Sequence, residues 1–108
     1  MQFLCDLGEI PEFGSKGFSV GDLNLFAVRQ RERLHVYHNR CPHLGIPLEW
    51  VEDRFLDAEG ELIQCSTHGA LFTIHNGHCV SGPCSGHSLT AIPTELRQQQ
   101  VWVDTSAL

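Results

Sequence analysis

The sequence predicts an all-β fold built from small antiparallel sheets. Three observations predict it. Short segments rich in strand formers recur at close spacing, turns bearing Gly and Pro separate them, and no segment has the periodicity of an amphipathic helix. The 108 residues form one small domain, residues 1–108, with no room for a catalytic domain beside a cofactor domain.

Each element follows from local pattern. Cys5 reads as a core residue of a first strand, and Gly14, Gly17 and Gly21 as turn markers. Residues 23–28 (Leu-Asn-Leu-Phe-Ala-Val) and 34–38 (Leu-His-Val-Tyr-His) read as strands. In the second, Leu34, Val36 and His38 share one face, and His35 and Tyr37 the other. The polar run at 29–33 reads as a hairpin tip. Residues 41–52 hold at most a short turn, because Pro42, Gly45 and Pro47 interrupt them. Residues 55–56 and 61–64 flank the turn Asp57-Ala58-Glu59-Gly60. Residues 70–74 lead into Asn76-Gly77, a hairpin signal, and residues 88–92 and 100–104 complete the strands.

Composition removes several function classes. Seven Lys and Arg stand against 13 Asp and Glu, a formal charge of −6. Nucleic acids and anionic membranes need clustered basic residues, so neither is an expected partner. No apolar run approaches the roughly 18 residues of a membrane span, and the first residues lack the pattern of a signal peptide. A cytoplasmic location is expected.

Five Cys and seven His are many for this length. An odd number of Cys excludes a fully paired disulfide framework within one chain, and a reducing compartment points to metal first. The informative pattern is Cys41-Pro42-His43 and then Cys65-Ser66-Thr67-His68, with 21 residues between His43 and Cys65 and a Gly soon after each pair. Two thiolates and two imidazoles can hold one tetrahedral zinc. They can equally hold a [2Fe–2S] cluster, two thiolates on one iron and two imidazoles on the other.

The flanking residues favour the cluster. Cys-Pro-His-Leu-Gly-Ile-Pro-Leu, Cys-x-x-His-Gly-Ala-Leu-Phe and the later Gly82-Pro83 together resemble the Rieske iron–sulfur proteins. The resemblance covers about residues 38–89, which become the expected cluster-binding subdomain of a Rieske-like fold. It implies one [2Fe–2S] cluster, with Cys41 and Cys65 on the inner iron and His43 and His68 on the outer one. It also implies that Gly45 and Gly69 let the loops bend until backbone N–H groups reach the sulfides, and that Gly82-Pro83 covers the centre. A structural zinc is the lesser reading, because zinc sites more often use Cys-x2-4-Cys knuckles.

Charge sets an expectation for the potential. Two ferric ions, two sulfides and two thiolates sum to zero, so an electron enters more easily than into an anionic all-Cys cluster. Deprotonation of His43 and His68 should lower the potential as pH rises. High-potential Rieske proteins carry an extra Cys in each box, where this chain has Ile46 and Thr67. They carry donor hydroxyls where it has Ala70 and Phe72. Without those donors the potential should lie near the low end of the Rieske range, about −150 mV.

The resemblance implies a stand-alone ferredoxin and no bond chemistry of its own. Electrons would pass from a flavin-dependent ferredoxin reductase to a terminal oxygenase through the His43 and His68 edges. The rival is a small Rieske subunit or regulatory domain of a larger reductase, of the nitrite-reductase-like kind. Cys79 and Cys84, five apart, either pair as a disulfide or pack as small apolar residues, and packing is favoured. His35, His38, His75, His78 and His87 read as surface or hydrogen-bonded residues rather than extra ligands, and Trp50 and Trp102 as packing. Residues 49–61 hold six acids and one Arg. They read as an added hairpin, either merely solvated or a docking face for a basic partner.

Overall fold

The computed structural model describes residues 1–30, 33–42, 45–49, 51–67, 69–106 and 108. Among the described residues it contains nine strands: β1 (Gln2–Asp6), β2 (Ser15–Val20), β3 (Leu23–Gln30), β4 (Arg33–His38), β5 (Leu62–Gln64), β6 (Leu71–Thr73), β7 (Cys79–Ser81), β8 (Thr94–Arg97) and β9 (Gln100–Val103). A 3-10 turn, Leu7–Glu9, is the helical piece among the described residues. No helix is long and apolar enough to cross a membrane among the described residues.

The strands form three antiparallel sheets of three, as the expected fold class requires. A terminal sheet runs β1-β9-β8, a central sheet β2-β3-β4, and a small sheet β5-β6-β7. The central sheet is apolar on both faces because its strands alternate two apolar sets. Leu25, Ala27 and Val36 join Cys5, Ile10, Ile92, Val101 and Val103 in one core against the terminal sheet. Phe26, Val28 and Tyr37 join Ile63, Phe72, Cys41 and Cys65 in a second core under the small sheet. The face assignment for β4 therefore holds, and burial covers both faces. Cys5 lies in the first strand as expected, and burial pushes its thiol up to about 11.

Two contacts lock segments flanking the small sheet onto the central one. Phe26 and Phe55 stack with centroids 4.4 Å apart and planes 4° from parallel. The buried Tyr37 hydroxyl donates to the Ile74 carbonyl. Burial raises its pKa to about 12, which keeps it a donor at all ordinary pH values.

The structure corrects several element assignments. Residues 15–20 are a strand, although Gly14, Gly17 and Gly21 read as turn markers. Gly17 sits inside it because Phe55 and Glu49 lie over that position, 3.3 and 3.2 Å from where a Cβ would stand. Residues 94–97 form β8, whose polar, mostly exposed side chains gave no periodic signal. Residues 88–92, read as a strand, make only isolated bridges, Ser88 to His78 and Ala91 to Tyr37. They step from the small sheet to the central one, so no ladder of any length forms. Arg29 and Gln30 belong to β3 and Arg33 to β4. The rest of the expected hairpin tip, residues 31 and 32, lies outside the described residues.

Candidate metal centre

β4 ends at His38, and the chain enters the first Cys/His box through Asn39. This side chain is buried, and both its oxygen and its nitrogen are engaged. Its Oδ1 accepts from Leu48 N–H at 2.9 Å, and its Nδ2 donates to Glu49 at 2.7 Å. Asn39 thus ties Leu48 and Glu49 back to the start of the segment that carries Cys41. Nothing in the sequence signalled this role, because the partner groups are a backbone N–H and one of many acids.

The two boxes are the same loop made twice. In the first, Cys41 N–H donates to Ile46 O at 2.7 Å and Gly45 N–H to Cys41 O at 2.7 Å. In the second, Cys65 N–H donates to Ala70 O at 2.9 Å and Gly69 N–H to Cys65 O at 2.8 Å. Gly45 and Gly69 take φ of +70° and +69°, the left-handed conformation that such a tight return demands. The need for glycine was thus read from the sequence. The N–H groups of these two glycines, however, close the loops on the cysteine carbonyls. Ser66 N–H donates to Leu48 O at 2.8 Å, so the second box hangs from the exit of the first.

Both loops deliver a cysteine to one interior. Cys41 and Cys65 are each 0% exposed and belong to the same core. His43 and His68, the two expected imidazole ligands, lie outside the described residues, as does Trp50.

The third loop closes the site from the side of β7. Gly82 has φ +99°, and a Cβ there would stand 2.8 Å from Ala70 Cα, so this loop rests directly on the second box. Its turn is held by Ser85 N–H and Oγ on Gly82 O, and by His87 N–H on Cys84 O at 2.9 Å. Cys84 is buried, with its sulfur 3.6 Å from that of Cys41. Cys79 is buried too, its thiol donating to Ser81 O at 3.2 Å. Both belong to the same buried core, where the packing reading put them.

The remaining histidines and acids fall into place around this frame. His78 Nδ1 lies 3.2 Å from the Ser88 hydroxyl. His35 stacks against Tyr37, and its buried Nε2 meets no hydrogen-bond partner among the described residues. Burial, with Arg33 and His75 nearby, holds the His35 pKa below the ordinary imidazole range. The acidic segment is two structures rather than one added hairpin. Residues 51–54 fold back on β2, where Asp53 accepts from Gly17 N–H at 2.8 Å and pairs with Lys16 at 3.6 Å. Ser15 ties the same piece down, donating to Asp53 O and accepting from Phe55 N–H. Only from Phe55 onward does a hairpin form, with Asp57 Oδ1 accepting from Glu61 and Leu62 N–H in its turn. Glu49 and Asp53 are therefore engaged internally, whereas Glu52, Glu59 and Glu61 are exposed.

Twin hydrogen-bonded loops bury one cysteine each in a shared core, and a third loop rests on the second of them, in a small β-sheet protein. The donor set fits a cluster with mixed ligands: two soft sulfurs sit inside, and each loop carries one imidazole beyond its cysteine. The model of the Rieske [2Fe-2S] domain family matches residues 1–99, and the chain belongs to that family, whose cofactor is one [2Fe–2S] cluster. No curated protein matches the sequence.

Solved structures share the fold. The ferredoxin of carbazole 1,9a-dioxygenase from Nocardioides aromaticivorans IC177 superposes with a TM-score of 0.76 at 20% identity, over 94% of this chain and 93% of that one. A chain of the complex of reduced oxygenase and oxidized ferredoxin in carbazole 1,9a-dioxygenase gives 0.75 at 24% identity, over 94% and 89%. The terminal oxygenase of carbazole 1,9a-dioxygenase from Nocardioides aromaticivorans IC177 gives 0.78 at 17% identity, over 94% of this chain but 29% of that one.

Proposed function

We propose that this protein carries single electrons on one [2Fe–2S] cluster held by Cys41, His43, Cys65 and His68. It receives them from a flavin-dependent ferredoxin reductase and delivers them to a terminal oxygenase. The observation that supports this best is the pair of twin loops, which offer two buried sulfurs from one core. The bound cluster supplies a site that gains and loses one electron without making or breaking a substrate bond. The chain's own residues fix the loops, exclude water from Cys41 and Cys65, and keep the third loop closed over them. Residues 1–108 act as one Rieske domain with a cluster-binding unit at about 38–89, working in the cytoplasm.

Likeness to ferredoxins of oxygenase systems supports the carrier: the fold superposes on the ferredoxin of carbazole 1,9a-dioxygenase from Nocardioides aromaticivorans IC177 with a TM-score of 0.76. The test is reconstitution. Holoprotein should be reduced by a flavin-dependent ferredoxin reductase and should support turnover of a Rieske oxygenase. A cluster that no free reductase reduces, in a chain recovered only as a fixed subunit of a larger enzyme, would favour the small-subunit reading instead.

A further inference from the structure

We propose that Cys84 raises the electron affinity of the centre by donating its S–H to the sulfur of Cys41. The inference rests on Cys41 being a cluster ligand, as argued above. The two sulfurs are 3.6 Å apart, and both residues are fully buried. Between two thiols either could donate. Once Cys41 ligates iron it is a thiolate and can only accept, so the donor is Cys84.

The geometry holds Cys84 in place. Gly82 bears on Ala70, the Cys84 carbonyl accepts from His87 N–H, and His87 O in turn accepts from Cys79 N–H at 2.9 Å. The third loop is thereby clamped at both ends, and its cysteine points at the first box. Reduction adds negative charge to the centre, and a donor aimed at a ligand sulfur stabilises that charge more than the oxidised state. The surroundings are apolar, so little solvent competes. Ala70 and Phe72 are buried side chains without a donor. Cys84 supplies from the third loop what those two positions lack. The S–H proton stays on Cys84 throughout: one electron enters from the reductant and one leaves to the acceptor. Cys84 acts through Cys41, as a positioning residue for charge.

The test is the midpoint potential of the holoprotein, read by a redox titration monitored by electron paramagnetic resonance. Cys84→Ala should weaken electron uptake about three- to tenfold, a tenfold change being about 59 mV for one electron. Cys84→Val fills the same space without a donor and should do likewise, which covers the case in which alanine fails to hold the cluster. Cys84→Ser keeps a donor and should stay within about twofold of wild type or rise above it. Wild type alone gives a second readout: its reduced-minus-oxidised infrared spectrum should show an S–H stretch moving to lower frequency, absent from Cys84→Ser. Wild-type potentials in the alanine and valine variants, equal shifts in all three variants, or an S–H band unmoved by reduction would overturn the proposal. Wild-type protein lacking an iron–sulfur signal would instead overturn the reading of Cys41 as a ligand.

Discussion

Gly45 and Gly69 occupy the same place in two loops and share one conformation, φ +70° and +69°. Each sends its N–H back to the carbonyl of the cysteine four residues earlier, at 2.7 and 2.8 Å. A single turn geometry thus presents both sulfurs to one core, and only the ring that follows differs in its offset. Cys41 is two residues before His43, and Cys65 three before His68.

Glycine substitutions should separate conformational cost from steric cost. At Gly69 an added Cβ meets no described residue within 4 Å, so Gly69→Ala is penalised chiefly for its left-handed backbone, about 1–2 kcal/mol. At Gly82 the same methyl also strikes the Ala70 backbone at 2.8 Å. Gly82→Ala should therefore lower the unfolding temperature more, and should also lift the third loop and loosen the cluster. Denaturation curves of the two variants side by side would expose an error here if their midpoints coincided.

Asn39 should be costly to replace. Asn39→Ala leaves the buried Leu48 N–H without its acceptor and should destabilise the protein by about 1–3 kcal/mol. Asn39→Asp keeps the acceptor but places a carboxylate oxygen where Nδ2 now meets Glu49 at 2.7 Å. It should recover much of its loss when combined with Glu49→Gln. Urea unfolding of the single and double variants measures this, and independent, additive losses would contradict it.

His35 should make the protein sensitive to mild acid. Its folded pKa lies below the ordinary value of 6.5, because burial and the neighbouring Arg33 and His75 disfavour the charged ring. The unfolded chain then binds the proton more readily, so this contribution is fully present above 6.5 and is lost as pH falls toward the folded value. His35→Gln should flatten the acid side of a plot of unfolding temperature against pH. An unchanged slope in that variant would show that His35 titrates as it does in the unfolded chain.

Strand pairs with strong alternation were legible in the sequence. Phe26 and Val28 against Leu25 and Ala27 announce a two-faced strand, and His35-Val36-Tyr37 answers it. β2 was hidden because glycine usually punctuates, and Gly17 sits mid-strand only because Phe55 covers it from a distant part of the chain. β8 was hidden because Glu95 and Arg97 pair with each other on an exposed edge and carry no core signal. The cysteine boxes and their glycines were readable because ligand spacing and tight turns are local. Asn39 and the contact between Cys84 and Cys41 were not, since both depend on tertiary neighbours. The acidic segment misled for the same reason: Asp53 looks like a surface charge until Gly17 and Lys16 come to it.

Iron and acid-labile sulfide content, measured with the electron paramagnetic resonance spectrum of the reduced holoprotein, tests the ligand assignment most directly. Wild type should contain two irons and two sulfides per chain. Cys41→Ser, Cys65→Ser, His43→Ala and His68→Ala should each lose the Rieske spectrum. Colourless wild-type protein holding a single zinc, or an intact spectrum in any of the four variants, would contradict it.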